Sequence, residues 1–242
     1  MTGRRFIFSA ALSLLMAGIA APYAMAAPIV VDIAPTNDNT GTNKTGTTTV
    51  GTITYNAVAE SASRPLSDLS ETDGTATTIG VSWEAFPGGY FSNRSGLTTT
   101  GAAAAIFPND AAQTFAGAFY GGPLVLDITG LDPSAVYDIT MFAGRDGVTQ
   151  DSTNLTAVGT NTVSGDLVGA GNASNVLTLT GISPTALGGI TDTFSATAGS
   201  GTSFFEVNAI EITQEAAVPE PASLGLLGIG SLSLLARRRR SI

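Results

Sequence analysis

The 242-residue chain contains no cysteine and no histidine. That absence excludes disulfides, thiol chemistry, zinc sites built on either residue, and any Ser-His or Cys-His nucleophile. Basic residues are also scarce, ten against 19 acids. Six of the ten sit near the chain ends, as Arg4, Arg5, Arg237, Arg238, Arg239 and Arg240. Between Ala27 and Val218 only Lys44, Arg64, Arg94 and Arg145 oppose 18 acids, a net charge of −14 for that span. So acidic a body repels nucleic acid and anionic lipid, and it suits solubility outside the cell. No Gly-x-Gly-x-x-Gly, Walker loop or Gly-x-Ser-x-Gly is present. Lacking disulfides, the body must rest on its own core, which about 190 residues suffice to build.

The two ends carry the clearest signals. Arg4 and Arg5 precede an uncharged apolar run over 6–21, and Ala24-Met25-Ala26 then offers small residues at the spacing a signal peptidase reads. Cleavage between Ala26 and Ala27 would leave Ala27-Pro28 as the new start. The alternative is an uncleaved anchor, but the apolar run is shorter than the ~20 residues of a comfortable span. Adjacent arginines invite a twin-arginine reading, which the flanking residues do not support, so general secretion is expected.

At the other end Pro219-Glu220-Pro221 precedes 15 uncharged residues, 222–236, and then the four arginines. As a helix that run rises about 22 Å. A hydrocarbon core is ~30 Å thick, yet flanking arginines snorkel and a bilayer thins, so a transient span is feasible. The arginines hold the cytoplasmic side, and Pro219-Glu220-Pro221 is left just outside the membrane. Its two prolines keep it extended and exposed, a handle for a membrane-embedded processing enzyme. The order of Pro-Glu-Pro, apolar helix and arginine cluster over 218–240 resembles the PEP-CTERM sorting signal. The resemblance implies processing by an exosortase-like enzyme, often in bacteria that make extracellular polysaccharide and biofilm or floc. The same tail is also called an ice-binding protein C-terminal domain, a label that says nothing of the body. A plain C-terminal anchor fits the helix and arginines but leaves Pro-Glu-Pro unexplained. The division expected is a signal peptide over 1–26, a body over 27–217 and a sorting tail over 218–242.

In the body, β-branched residues alternate with polar ones, and Gly, Pro, Asn and Asp punctuate the runs. This predicts an all-β fold of short strands over 29–33, 49–58, 79–85, 124–129, 136–142, 154–158, 176–180, 191–196 and 204–213. No amphipathic helix joins them, which argues for an antiparallel β-sandwich of jelly-roll type rather than a parallel fold. Leu124, Leu126 and Ile128 share one strand face, and Tyr137, Ile139 and Met141 share another. With turn chemistry over 130–134, the two runs are expected to form an antiparallel pair. A tyrosine so placed either closes the corner through its hydroxyl or is ordinary core. In 204–213 neither face is free of polar residues. The face with Ile210 and Ile212 is expected inward, with Asn208 buried and hydrogen-bonded. Arg145 is the candidate partner for Glu206 or Glu211. The runs Gly130-Leu-Asp-Pro, Tyr137-Asp-Ile-Thr-Met-Phe-Ala-Gly-Arg145 and Val207-Asn-Ala-Ile-Glu-Ile212 resemble the bodies that PEP-CTERM proteins often carry. Those bodies resemble galactose-binding-like jelly rolls, the shape of many carbohydrate-binding modules. Gly144 departs from the pattern, where a larger or polar residue often stands.

The body also holds several candidate sites. Trp83, the single tryptophan, lies with Phe86, Tyr90 and Phe91 in nine residues. These aromatics either stack on a sugar, with Glu84, Asn93 and Arg94 bonding hydroxyls, or form core; aromatics fill cores before they fill sites. Asp127, Asp132, Asp138, Asp146 and Asp151 raise a calcium reading, but no EF-hand or repeat spacing supports it, and no other cofactor is indicated. Two carboxylates suffice for glycoside hydrolysis, and Glu84 with Glu206 are the nominees. No recognised catalytic constellation appears, so a non-catalytic envelope or matrix protein is expected, with polysaccharide as its partner and no nucleic acid. A glycan-active enzyme and an adhesion or ice-contacting surface are the alternatives. The last would need a regular Thr-x-Thr ladder, and only patches exist (Thr52-Ile-Thr54, Thr178-Leu-Thr180).

Overall fold

Alternating sequence becomes stacked sheets in the computed structural model, which describes residues 26–33, 46–58, 65–83, 89–92, 97–119, 122–149, 151–197 and 204–216. Most of the signal segment and all of the sorting tail, including Ala24, Pro219, Glu220, Pro221 and the four C-terminal arginines, lie outside the described residues. The described residues form the body.

Its strands are β1 (Ile29–Ile33), β2 (Gly46–Val50), β3 (Ile53–Val58), β4 (Gly80–Trp83), β5 (Gly89–Ser92), β6 (Phe115–Phe119), β7 (Leu124–Thr129) and β8 (Tyr137–Phe142). They continue with β9 (Ser152–Val158), β10 (Thr162–Val168), β11 (Leu177–Ile182), β12 (Ile190–Ala196), β13 (Phe204–Val207) and β14 (Ala209–Gln214). Two short helices, α1 (Gly101–Ile106) and α2 (Asn109–Ala112), precede β6. A six-stranded sheet runs β11-β8-β14-β1-β3-β2, a five-stranded sheet β10-β9-β12-β7-β4, and a small sheet β13-β6-β5. Among the described strands only β1 and β3 pair in parallel. The body is an all-β sandwich.

The core lies between the two large sheets. Leu124, Leu126 and Ile128 of β7, Leu155 of β9 and Phe194 of β12 pack with Ile139 and Met141 of β8, Ile210 and Ile212 of β14, and Val31 of β1. Each such side chain contributes about 1.5–3 kcal/mol when fully buried. The six-stranded sheet is covered on its other side too. Ala103, Phe107, Ala111 and Ala112 of the helical segment lie on Val30, Tyr55, Phe142 and Ala209. Hence every residue of β1 is buried, and the strand carries no alternation in its own sequence.

The structure corrects three sequence expectations. Segments 124–129 and 136–142 are strands but not partners: β7 pairs with β12 and β4, β8 with β11 and β14. The turn between them carries the chain from one sheet to the other. Gly130 takes φ +78° beside the Thr78 carbonyl, where a Cβ would collide, and Leu131 drops into the core. Tyr137 closes this arch, its hydroxyl accepting from the Asp132 amide at 3.0 Å. Segment 49–58 is two strands, not one. Gly51 at φ +63° reverses the chain and β2 folds back on β3. Segment 204–213 is also two strands, β13 and β14, interrupted at Asn208. Phe205 and Val207 share the main core with Ile210 and Ile212. The inward face therefore shifts by one residue at Asn208, and Phe204 and Glu206 leave the face assigned to them.

Candidate functional site

The face opposite that core on the small sheet holds the most unusual chemistry of the body. Glu206 on β13 is registered with Gly117 on β6, which is registered in turn with Tyr90 on β5. Phe204, two residues before Glu206, leans its ring over Gly117, where a Cβ would lie 2.6 Å from the ring tip. Phe115 meets Phe204 edge to face, centroids 6.5 Å apart. Onto these rings comes Arg145 from the loop after β8. Its guanidinium stands 4.5 Å from the Phe204 centroid and 5.5 Å from that of Phe115, within the range of cation–π attraction.

Two carboxyls complete the cluster. Arg145 Nη2 is 3.4 Å from Asp151 Oδ2, and Arg145 Nε is 3.8 Å from Glu206 Oε2. Of the two partners expected for Arg145 from sequence, Glu206 is the one that meets it; Glu211 is registered with Thr140 on the six-stranded sheet. The scaffold is closely tied. The Thr153 hydroxyl donates to the Glu206 carbonyl at 2.6 Å and accepts from the Glu206 amide at 3.1 Å, joining β13 to β9. Arg145 N donates to the Gly169 carbonyl and Gly171 N to the Arg145 carbonyl. Gly169 has no side chain because the carboxyl occupies that space: a Cβ would sit 2.5 Å from Glu206 Oε1.

Electrostatics follow from burial. The Glu206 side chain is 0% exposed and that of Arg145 16%. Desolvation pushes Glu206 up to about 8; Asp151 adds to the rise and Arg145 opposes it. Asp151 is raised as well, by burial first, with Arg145 again opposing. Asp151 is the carboxyl nearer to Arg145, and Glu206 is the one burial drives toward its protonated form. Neither Glu206 oxygen, nor Asp151 Oδ2, meets a hydrogen-bond partner among the described residues. The cluster thus combines one guanidinium, two carboxyls and two aromatic rings, and of these only Arg145 is more than marginally exposed.

The other sequence candidates are dispersed. Trp83 is 6% exposed and packs in the main core. Tyr90 is placed by register in line with Glu206, while Glu84, Asn93 and Arg94 lie outside the described residues. The aspartates of the calcium reading are not gathered. Asp127 accepts from Thr191, Asp132 from Ser134, Asp138 from the Gly181 amide and Asp146 from Gly147. Among the described residues no three acidic groups converge to hold a metal. Asn208 is fully buried and bonded through both side-chain atoms.

Asp192 escaped the sequence reading. It sits on β12 between Ile190 and Phe194, facing the apolar interior, 0% exposed and with neither oxygen hydrogen-bonded among the described residues. Burial, reinforced by Asp127, pushes it up to about 8. The signal was present: in Ile190-Thr-Asp-Thr-Phe194 the alternation aligns Asp192 with two core residues.

Residues 217–240 match the PEP-CTERM protein-sorting motif. The motif marks the chain for export and membrane-associated sorting, with exosortase as the processing enzyme it implies. No curated protein matches the chain. Among solved structures it is similar to the exo-β-1,3-galactanase Pc1,3Gal43A from Phanerochaete chrysosporium with galactose, at 14% identity and TM-score 0.31. That likeness covers 57% of this chain and 30% of the galactanase, so the chain spans under a third of that protein. It is similar to TmCBM61 in complex with β-1,4-galactotriose at 12% identity and TM-score 0.28, over 55% of this chain and 84% of the other. The ANXUR1 extracellular domain from Arabidopsis thaliana aligns at 14% identity and TM-score 0.39, over 81% of this chain and 51% of the other. Among the described residues no helix is long and apolar enough to cross a membrane; the apolar run 222–236 lies outside them.

Proposed function

We propose that this is a non-catalytic protein of the cell envelope or extracellular matrix, sorted through its PEP-CTERM tail, whose sandwich body binds polysaccharide. The sorting motif at 217–240 carries the first half of this reading. The tail spans the membrane transiently, Arg237 to Arg240 hold the cytoplasmic side, and Pro219-Glu220-Pro221 stands outside as the handle. The Glu215 amide still bonds the Val136 carbonyl at 2.8 Å, and the handle begins four residues further along the chain.

The Arg145 cluster supports the second half. Sugar recognition needs planar hydrogen-bonding groups and an aromatic or apolar face; Arg145, the half-buried member, would present the planar group, with the buried Asp151, Glu206, Phe115 and Phe204 fixing its position. The exported protein is to be screened on a glycan array, with soluble products assayed in parallel. Saturable binding without product supports the reading. A second reading has one observation in its favour: two carboxyls flank one guanidinium, Asp151 at 3.4 Å and Glu206 at 3.8 Å from Arg145, and a carboxyl pair is the unit a glycan-active enzyme uses. Turnover of a polysaccharide that is lost in Glu206→Gln would establish that reading instead.

A further inference from the structure

The segment that signal cleavage would expose is already docked. The Ala27 nitrogen lies 3.2 Å from Glu71 Oε2. Next to it, the Thr72 amide donates to the Pro28 carbonyl at 2.8 Å. Glu71 is presented by a tight turn, closed by Gly74 N to the Glu71 carbonyl at 2.9 Å and Glu71 N to the Thr75 carbonyl at 2.8 Å. The other acid of that turn, Asp73, is occupied, accepting from the Thr75 amide. One carboxylate therefore faces the backbone atom that becomes the terminus of the processed chain.

We infer that Glu71 is a receptor for the new α-ammonium group, so that signal removal adds an ion pair that pins β1 into the sandwich. The inference rests on the reading that cleavage falls between Ala26 and Ala27. In that step a signal peptidase adds water across the Ala26–Ala27 peptide bond. Ala26 departs as a carboxylate and the Ala27 nitrogen takes up protons to become an ammonium. A neutral amide donor at 3.2 Å is thereby exchanged for a charged one, and hydrogen bonds between charged groups are the stronger kind. The location gives the pair its consequence. β1 lies between β14 and β3 in the six-stranded sheet, and Ile29 is registered with Ile212. The new amino terminus thus lies at the same end of the sheet as the last residues of β14.

The test uses the exported, processed protein, with Glu71→Gln and Glu71→Asp prepared in the same way. Mass spectrometry first reads the amino terminus. The α-amine is then labelled with dilute acetic anhydride at pH 8, near the ordinary pKa of ~7.7–8.0 for that group. A half-buried ion pair slows wild-type labelling about two- to fivefold relative to Glu71→Gln, and Glu71→Asp falls between. A start at Ala27 with equal rates in wild type and Glu71→Gln overturns the receptor role. A start elsewhere overturns the junction on which it rests, and the two failures are separate readouts.

Discussion

Asn208 and Gly144 hold each other from both sides. The Asn208 Oδ1 accepts from the Gly144 amide at 2.7 Å, and its Nδ2 donates to the Gly144 carbonyl at 3.2 Å. The same Nδ2 reaches the carbonyls of Ala112 and Thr114, each at 2.8 Å. One buried amide therefore joins the interruption between β13 and β14, the loop that carries Arg145, and the end of α2. Gly144 is small because a Cβ there would meet the Asn172 carbonyl. Removing the amide leaves several buried backbone groups without partners, at about 1–3 kcal/mol each. Asn208→Ala is expected to lose about 3 kcal/mol or more in urea denaturation. Asn208→Asp, which turns an acceptor toward three carbonyls, is expected to lose at least as much. A loss below about 1 kcal/mol in both variants would refute this role.

Arg145 is expected to be essential to stability, whatever it binds. Arg145→Met keeps the apolar stem against Phe204 but leaves Asp151 buried beside Glu206 without a cation. Breaking a buried pair from one side costs about 3–5 kcal/mol. The double change Arg145→Met with Asp151→Asn removes the stranded charge and is expected to recover part of the loss. Arg145→Lys should be only a partial rescue, since the planar stack over Phe204 is lost. Denaturant midpoints of the four proteins check the order.

Stability is expected to fall as pH rises from about 4.5 to about 8. Glu206 and Asp192 both have raised folded values of about 8, against ordinary values of 4.5 and 3.8. The folded state thus holds protons that the unfolded chain has released, and stability declines wherever the folded state binds more protons. The contribution is complete below the unfolded values and gone above the folded ones. Asp192→Asn removes one of the two groups and should flatten the slope, raising stability at pH 8 relative to wild type more than at pH 4.5. Urea midpoints across this range provide the measurement. An unchanged slope in Asp192→Asn would show that Asp192 does not hold its proton in the fold.

Strand existence was legible because period-two alternation reports a one-sided face, as in Leu124-Val-Leu-Asp-Ile128. Strand partnership was not. The same alternation serves whether a turn pairs its flanking strands or carries the chain across the sandwich, and only the collision at Gly130 and the inward Leu131 decide that. β6, Phe-Ala-Gly-Ala-Phe119, escaped because its small residues are set by the Phe204 ring lying over Gly117 rather than by a polar and an apolar side. β10, with Ser164, Gly165 and Asp166, escaped because an edge strand buries little. At the site, the burial of Asn208 and the pairing of Arg145 with Glu206 were readable from scarcity: one amide on an apolar face, and four cations in the body. Asp151 and the two phenylalanine rings were not, since three separate loops and strands bring them there.

Closure of the arch by Tyr137 gives a smaller effect. Tyr137→Phe removes the acceptor of the Asp132 amide, a part-buried bond, and is expected to cost about 1 kcal/mol. Gly130→Ala forces a side chain into the left-handed region and against the Thr78 carbonyl, and is expected to cost more. Thermal denaturation of both variants tests whether the backbone of the turn, rather than the hydroxyl, dominates the crossing.

The sorting tail is expected to fail in two distinguishable ways. Replacing Pro219, Glu220 and Pro221 with alanine removes the extended handle and leaves the apolar run and the arginines intact. That precursor should remain in the membrane fraction with residues 222–242 still attached. Replacing Arg237, Arg238, Arg239 and Arg240 with glutamine leaves the handle but removes the charge that holds the cytoplasmic side. With only 15 uncharged residues before the arginines, the run is too short to be retained by apolar burial alone. This second protein should also be uncut, yet appear outside the membrane fraction. Mass spectrometry of each fraction reads both outcomes. Normal clipping of the arginine variant would show that the handle is presented without an electrostatic stop.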